Sequence, residues 1–522
     1  MLKPARSYDS QRADFAWDLP SRLNMAVQAC DDRAKSEPDR LALIDLSGGA
    51  RVDWSYADLA HLSRRVQAAL VARGVAAGDT VGVLLSQSPL CLAAHLAAWR
   101  LGAISVPLFV LFRDDALRSR LGDAGAKVTV TDDEGAARVS GLGHAALTAA
   151  DLPDAPDESP AVETGPETPA CLIYTSGTTG APKGALHGHR MLTGHLPGVE
   201  MSHDFLGQPG DVLWTPADWA WIGGLFDVAM PGLALGVRVV AARMARFDVD
   251  ECLKIIREAS VRNIFFPPTA LRMLKAADAS LPGLRSVASG GEPLGAEMLA
   301  WGREAFGVTI NEFYGQTECN MVASACAALF DPRPGAIGRA VPGFDVAVID
   351  AEGNPTDGEG DIAIRRGAAS MMLEYRGKPA ETAAKFRGDW LVTGDRGTIE
   401  DGFIRFRGRE DDVITSAGYR IGPSEIEDCL MAHPDVANVG VVGKPDALRT
   451  EIVKAYVVPR TGSTPDADAL KAWVKDRLAT YSCPREIAFL EVLPMTVTGK
   501  VIRRELKARA AAETSPDTEG KT

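Results

Sequence analysis

Short apolar runs alternate with helical patterns through residues 41–140, and this alternation constrains the fold more than any other feature of the chain. Val81-Gly82-Val83-Leu84-Leu85 reads as a strand, Leu90 to Leu101 as a helix, and Ala103 to Leu108 as a second strand. Asp114 to Gly122 follows as a helix and Lys127 to Thr131 as a third strand. Strands separated by helices must be joined by crossovers, which predicts parallel pairing with helices on the sheet faces. The pattern resumes at Arg238-Val239-Val240, Ile264-Phe265-Phe266 and Ser286-Val287-Ala288. From about 335 the texture changes to Gly, Asp and short β-rich runs, Val346–Ile349, Asp361–Ile364 and Phe403–Phe406, which predict a smaller β subdomain. Beyond about 410, a helix over 423–433, strands at Val436–Val442 and Ile452–Val458, and a helix over 467–478 predict a compact α+β module. The fold class expected is α/β: a large N-terminal domain of parallel and mixed sheets with flanking helices and a β subdomain, then a small α+β C-terminal domain.

At 522 residues the chain exceeds what one hydrophobic core supports, so at least two domains are expected. A net charge of -13 argues against general affinity for nucleic acid or anionic membrane. The most apolar window, Val228 to Ala242, is broken by Pro231, Gly232, Gly236 and Arg238, and is too short to span a bilayer. The eight cysteines are scattered with no close CxxC pair, which excludes a zinc framework or a secreted disulfide scaffold and fits a reducing cytosol. No apolar stretch follows Met-Leu-Lys-Pro-Ala-Arg, so a cytoplasmic protein without a signal peptide is expected. The polar run from Ala511 to the C-terminus is expected to bury nothing and to be disordered.

One segment carries more chemistry than the rest. Tyr174-Thr175-Ser176-Gly177-Thr178-Thr179-Gly180-Ala181-Pro182-Lys183-Gly184 concentrates hydroxyls and glycines after the buried strand Cys171–Tyr174. Glycine lets backbone N–H groups approach an anion closely, so a polyphosphate site is favoured over a surface linker. A Walker A loop is excluded: counted from Gly177, the second required glycine falls on Pro182, and no Lys-Ser/Thr pair follows.

Other clusters punctuate the remaining elements. Ser289-Gly290-Gly291-Glu292-Pro293 follows an apolar strand and suits either a flat wall for a planar ring or a plain strand-to-helix turn. Tyr314-Gly315-Gln316-Thr317-Glu318 offers an aromatic face, a hydroxyl and a carboxylate, suited to a base, a phosphate and Mg²⁺. Thr393-Gly394-Asp395 places a carboxylate after a tight turn, where it can accept both hydroxyl protons of a ribose. Arg409 to Arg420 is dense in charge, and Pro494 to Lys500 sets a lysine directly after a glycine.

In this order and spacing the clusters resemble the adenylate-forming superfamily of acyl-CoA synthetases, luciferases and peptide-synthetase adenylation domains, over roughly residues 30–510. Gly418-Tyr419-Arg420-Ile421-Gly422-Pro423-Ser424-Glu425-Ile426-Glu427 and Tyr314–Glu318 look most like the acetyl- and medium-chain acyl-CoA synthetases. The resemblance implies a carboxylic acid, ATP, Mg²⁺ and coenzyme A as reactants and cofactors, with an acyl-AMP intermediate. It implies that Thr175, Ser176, Gly177, Thr178, Thr179, Gly180 and Lys183 hold the β- and γ-phosphates, with Thr175 counted among the catalytic residues. Gly291, Glu292 and Pro293 would line the adenine, Tyr314 would stack on it, and Gly315 and Gln316 would complete the nucleotide site. Thr317 would contact the α-phosphate and Glu318 would hold Mg²⁺. Asp395 and Arg409 would bind the ribose, and Arg420 would approach the phosphates. Lys500 would carry adenylation by bridging the carboxylate and the α-phosphate. Domains of 1–408 and 412–510 are implied, with a hinge at 409–411 centred on Asp411 that makes the small domain mobile and exchanges Lys500 for the CoA-facing Gly418 and Tyr419. The Pro-x4-Gly-Lys pattern implies that a lysine acetyltransferase can act on Lys500. Relatives include monomers and homodimers.

The acyl pocket is expected around Trp219, Trp221, Ile222, Gly223, Gly290 and Gly315. Glycine at 315, where acetate-specific relatives commonly carry tryptophan, predicts room for more than an acetyl group. Trp219 and Trp221 either narrow the slot from the other side or belong to the core. The expected acid is short to medium in chain, with branched and aromatic acids included. Two alternatives are a stand-alone adenylation enzyme that loads a carrier protein and a non-catalytic nucleotide-binding regulator. The second expects losses at Lys500, Glu318 or Asp395, and all three residues are present.

Overall fold

The computed structural model describes residues 2–3, 7–175, 182–244, 246–409, 412–416, 419–446, 449–478, 482–496 and 500–513. The chain forms two compact units. The first comprises Met1–Leu294, Met298–Val346 and Ile364–Leu391; the second comprises Gly295–Glu297, Ala347–Ala363 and Val392–Thr522.

In the first unit, one sheet runs Glu374–Tyr375, Lys183–Gly188, Pro169–Thr175, Ile104–Pro107, Thr80–Leu84, Ala126–Thr131, Ala146–Leu147. Its members from Pro169–Thr175 onward are parallel, and the two at the other edge are antiparallel. The crossovers are the helices anticipated from the alternation. Pro89–Arg100 starts with Ser88 accepting the Cys91 N–H and Pro89 in the first turn, and Asp114–Ala124 stops at Gly125 in the left-handed conformation. A second sheet places Ile310–Gln316, Ser286–Gly290, Asn263–Phe265, Val212–Trp214, Arg238–Ala241 and Leu41–Asp45 side by side in parallel. Cys319–Ser324 returns beside Ile310–Gln316 as an antiparallel hairpin and pairs on its other side with Arg339–Ala340.

Helix Pro89–Arg100 is buried all round, because it lies in a layer between the sheets. One apolar cluster joins Val81, Val83 and Val128 from one sheet to Leu43, Val239 and Ala241 from the other through Leu92, Leu96 and Trp99. All eight cysteines are free thiols, and seven are buried.

In the second unit the strands Val346–Ile349, Gly360–Arg365, Trp390–Glu400 and Phe403–Arg409 are neighbours in that order, as the β-rich texture predicts. A separate sheet holds Tyr419–Ile421, Ile414–Ser416, Thr450–Pro459 and Val436–Asp446, with Glu486–Phe489 parallel to Thr450–Pro459. The strand period of two sorts its faces. Val439 and Val441 pack with Ile426, Leu430 and Leu470, whereas Val442 and Tyr456 pack with Leu493, Leu506 and Ala510 on the other side.

The expected disordered tail begins too early. Helix Arg503–Ala512 runs through Ala511, and Glu513 accepts hydrogen bonds from the Lys454 ammonium and, at 3.0 Å, from the Tyr456 hydroxyl. Lys454 is buried, and an unpaired buried ammonium is costly, so it draws in a carboxylate that composition alone assigns to solvent. Residues 514–522 lie outside the described residues.

Candidate active site

The hydroxyl-glycine segment joins two antiparallel strands. Thr175 and Lys183 are paired across them, and the Thr175 Oγ1 lies 3.5 Å from the Lys183 carbonyl oxygen. The two residues thus form the mouth of the turn. Ser176, Gly177, Thr178, Thr179 and Gly180 lie outside the described residues. The Lys183 ammonium sits over the Tyr375 ring, 5.5 Å from its centroid.

Tyr314 to Glu318 occupies the end of strand Ile310–Gln316 and the turn into Cys319–Ser324. The turn is fixed by main chain: the Met372 N–H donates to the Glu318 carbonyl at 2.7 Å. Glu318 is only 9% exposed, and its carboxylate accepts a hydrogen bond from the Tyr375 hydroxyl. Tyr375 therefore touches both Lys183 with its ring and Glu318 with its hydroxyl, and joins two motifs far apart in sequence. Sequence reading missed this residue, because it sits in a two-residue strand, Glu374–Tyr375, that has no periodicity of its own.

No group of three or more His, Cys, Asp or Glu side chains able to hold a metal ion occurs among the described residues. A single carboxylate is the donor set suited to Mg²⁺, which keeps several waters and relies on substrate phosphates for the rest of its shell. Glu318 fits that requirement.

Gly290 and Gly291 end strand Ser286–Gly290. A Cβ on Gly290 would come within 2.6 Å of the Phe313 ring, and Gly291 has a φ of 102° that a side chain would strain. The glycine pair is thus needed for close packing and for the turn. Glu292 is paired with Arg272 at 3.2 Å, and Tyr314 is half-buried.

The two tryptophans of the expected acyl region separate. Trp219 is fully buried in the main core, whereas Trp221 is half-buried and stacks toward Phe265 at 5.8 Å. Phe265 in turn lies 5.0 Å from Phe313, so Trp221, Phe265 and Phe313 make an aromatic row beside Gly290. Ile222 and Gly223 follow at the start of a short buried helix, and the Trp221 ring lies against Gly223. The loop carrying them is held by buried Gln87, whose amide donates to the carbonyls of Thr215 at 3.0 Å and Ala217 at 2.7 Å. A Cβ on Gly315 would collide with the Asn320 Oδ1 and the Met321 backbone nitrogen, so glycine is required there by its own hairpin. The reason is the hairpin, which folds its own return strand over the glycine.

In the second unit, the antiparallel hairpin of Trp390–Glu400 and Phe403–Arg409 pairs Asp395 directly with Arg409. Their Oδ1 and Nε are 3.5 Å apart, so register explains why two residues from separate clusters meet. Gly394 holds a φ of 79° within the strand just before Asp395, and the Asp395 N–H donates to Thr393 Oγ1 at 3.1 Å. The Lys500 N–H donates to Thr496 Oγ1 at 3.0 Å and its carbonyl accepts from the Thr496 N–H at 2.7 Å. Met495 packs into the apolar cluster of Tyr456, Leu493 and Leu506, which accounts for its apolar character. Arg420 and Tyr419 lie in strand Tyr419–Ile421, with their side chains outside the description; Asp411 and Gly418 are outside the described residues.

Residues 30–376 match the AMP-binding enzyme family, and residues 425–500 match the AMP-binding enzyme C-terminal domain. The chain belongs to this family of adenylate-forming enzymes. Within it, the chain is similar to the acetyl-coenzyme A synthetase of Bacillus subtilis, at 33% identity covering 96% of this chain and 95% of the relative. It is similar also to the mitochondrial acyl-coenzyme A synthetase ACSM4 of Homo sapiens, at 34% identity covering 94% and 91%. Among solved structures, ATP-bound MatB from Rhodopseudomonas palustris matches with a TM-score of 0.83 and 28% identity, covering 94% of this chain and 99% of that one. No helix among the described residues is long and apolar enough to cross a membrane.

Proposed function

We propose that the protein is an AMP-forming acyl-CoA synthetase, an acid–thiol ligase that uses ATP, Mg²⁺ and coenzyme A. The observation that carries the reading is the junction at Tyr375, which brings the mouth of the phosphate loop at Lys183 together with the Glu318 carboxylate. A cation site beside a loop rich in hydroxyls and N–H groups is what a polyphosphate requires. In the first half-reaction the substrate carboxylate attacks the α-phosphorus of ATP, forming the acyl–O–P bond as the bond to pyrophosphate breaks. In the second the CoA thiol, losing its proton, attacks the acyl carbon and expels AMP.

Thr175, Lys183 and the loop between them hold the departing pyrophosphate, and Thr317 lies by the α-phosphate. Glu318 would hold Mg²⁺, which would supply positive charge against the phosphates. Asp395 accepts the ribose hydroxyl protons, with Arg409 beside it. Lys500 places an ammonium between the two anions that must approach each other. The hinge at 409–411 exchanges Lys500 for the segment around Gly418 and Tyr419 between the half-reactions. The substrate is a short-to-medium carboxylic acid, the setting cytoplasmic, the assembly a monomer or homodimer, and acetylation of Lys500 an off-switch.

Pyrophosphate release with ATP, Mg²⁺ and a panel of C2–C10 linear, branched and aromatic acids tests the reading. AMP formation that depends on both acid and CoA is expected. Acid-dependent pyrophosphate release that ignores CoA would favour carrier-protein loading, and no release with any acid would favour a nucleotide-binding regulator.

A further inference from the structure

The stretch of chain that delivers Tyr375 is held by a buried arginine outside every sequence cluster. Arg190 is the first residue of helix Arg190–Ser202 and is 8% exposed. Its Nη1 donates to three main-chain carbonyls of one turn, those of Ala368 at 2.9 Å, Ala369 at 2.7 Å and Met371 at 2.8 Å. One Nη nitrogen carries two hydrogens, so the three carbonyls share them. Its Nε donates to the Glu167 carboxylate at 2.6 Å, which balances the charge. A guanidinium at this depth is costly unless it is paired and hydrogen-bonded. Because three of its contacts fall on one turn, what the buried charge secures is the position of that turn.

The helix grips the turn twice. Gly194 follows Arg190 by one helical turn on the same face, and a Cβ there would come within 2.2 Å of the Ser370 nitrogen and 2.5 Å of the Ala369 carbonyl carbon. The turn in turn grips the hairpin that carries Glu318. The Ser370 hydroxyl donates to the Asn320 carbonyl at 2.9 Å, and the Met372 N–H donates to the Glu318 carbonyl at 2.7 Å. The chain then joins the strand of Lys183: the Leu373 N–H donates to the Leu186 carbonyl at 2.7 Å, and Tyr375 pairs with Ala185. Tyr375 therefore follows the held turn directly, with no loop between them to absorb a displacement.

We propose that Arg190 is a positioning residue for the polyphosphate and Mg²⁺ site. By holding the turn 368–371 it sets Tyr375, and through Tyr375 the Glu318 carboxylate and the Lys183 ammonium. The inference rests on the acyl-CoA synthetase reading. Removing the guanidinium deprives buried carbonyls of their donor, and the turn must shift to find others. That shift falls on the groups that face pyrophosphate, and the thioester step has no pyrophosphate to hold.

The test measures ATP binding by calorimetry, with and without Mg²⁺, in wild type, Arg190→Met and Arg190→Lys. Arg190→Met is expected to lose about tenfold of the affinity for ATP seen with Mg²⁺, the scale of one hydrogen bond to a charged group. Arg190→Lys, whose ammonium still donates to part of the turn, is expected to lose about threefold. In kinetics, Arg190→Met should raise the Mg²⁺ needed for half-maximal ATP–pyrophosphate exchange by a similar factor. Thioester formation from supplied acyl-AMP should keep its wild-type rate. An unmoved Mg²⁺ dependence, or equal losses in the two half-reactions, would overturn the proposal, because an arginine that serves folding alone lowers both alike.

If Arg190→Met does not fold, Arg190→Lys carries the test on the same two readouts. The two readings fail separately. Wild type that exchanges pyrophosphate with no acid sinks the ligase assignment and the Arg190 role with it, whereas active wild type with an unshifted Arg190→Met sinks the Arg190 role alone.

Discussion

The two units hold their candidate residues in different ways. In the first, Glu318, Tyr375 and the Gly290–Gly291 turn are set at the ends of buried strands, and their neighbours fix them from several sides. In the second, Lys500 is exposed and the Arg409 side chain is 43% exposed, beside the buried Asp395. Burial preorganises donors and carboxylates, which suits binding a nucleotide and a metal. Exposed cationic ends cost little desolvation, which suits groups that act on the nucleotide only at one stage. The contrast predicts that substitutions at the buried positions, Asp395 of the second unit among them, impair ligand binding, whereas those at the exposed Arg409 and Lys500 impair chemistry without unfolding.

The largest expected effect lies in the second unit. Lys500→Ala should cut ATP–pyrophosphate exchange by about a thousandfold, the scale of a lost charge-stabilising group, while thioester formation from supplied acyl-AMP persists. Full exchange in that variant would break the contrast at its strongest point. Next, Glu318→Gln should lower adenylation about a hundredfold and raise the Mg²⁺ requirement. Tyr375→Phe should lower it about tenfold, the value of one hydrogen bond to a charged group, with a lower melting temperature because the hydroxyl is buried. Loss of activity without any shift in Mg²⁺ requirement would sink the Glu318 role. Asp395→Asn should raise the KM for ATP about tenfold or less and reduce discrimination against deoxy-ATP, with kcat little changed.

A further expected effect is on stability rather than catalysis, and it sharpens the difference in burial. Burial holds His95 down to about 3 and His195 to about 4, against an ordinary value of 6.5. Both stay neutral in the folded state, so only the unfolded chain takes up protons as pH falls below 6.5. Their contribution is full above that value and is lost as pH drops toward the folded values. Between pH 7 and 5 each should cost about 2 kcal/mol. Chemical denaturation at the two pH values, with His95→Phe as the comparison, should show the slope flatten by that amount.

Much of the architecture was legible because the alternation of apolar and helical runs is a local property. The strands Thr80–Leu84 and Ala126–Thr131 fall within a residue or so of where the runs place them. The phosphate loop was legible as chemistry, but its setting in a hairpin was not, since pairing of Thr175 with Lys183 depends on the strand after the loop. Identical residue types also diverge: Trp219 and Trp221 sit two apart, yet one is core and the other lines the aromatic row. Arg190 was invisible in the sequence because nothing local announces the carbonyls that it meets.

What the residues fixed on their own is the set of elements, the family motifs and the types of group available, since periodicity and loop chemistry act over a few residues. What needed the folded chain is who meets whom. Tyr375 and Glu318 are 57 residues apart, and Arg190 and Ala369 are 179 apart. Such pairs are set by how sheets and helices pack, with each buried polar group forced to find a partner at whatever distance along the chain one can be supplied.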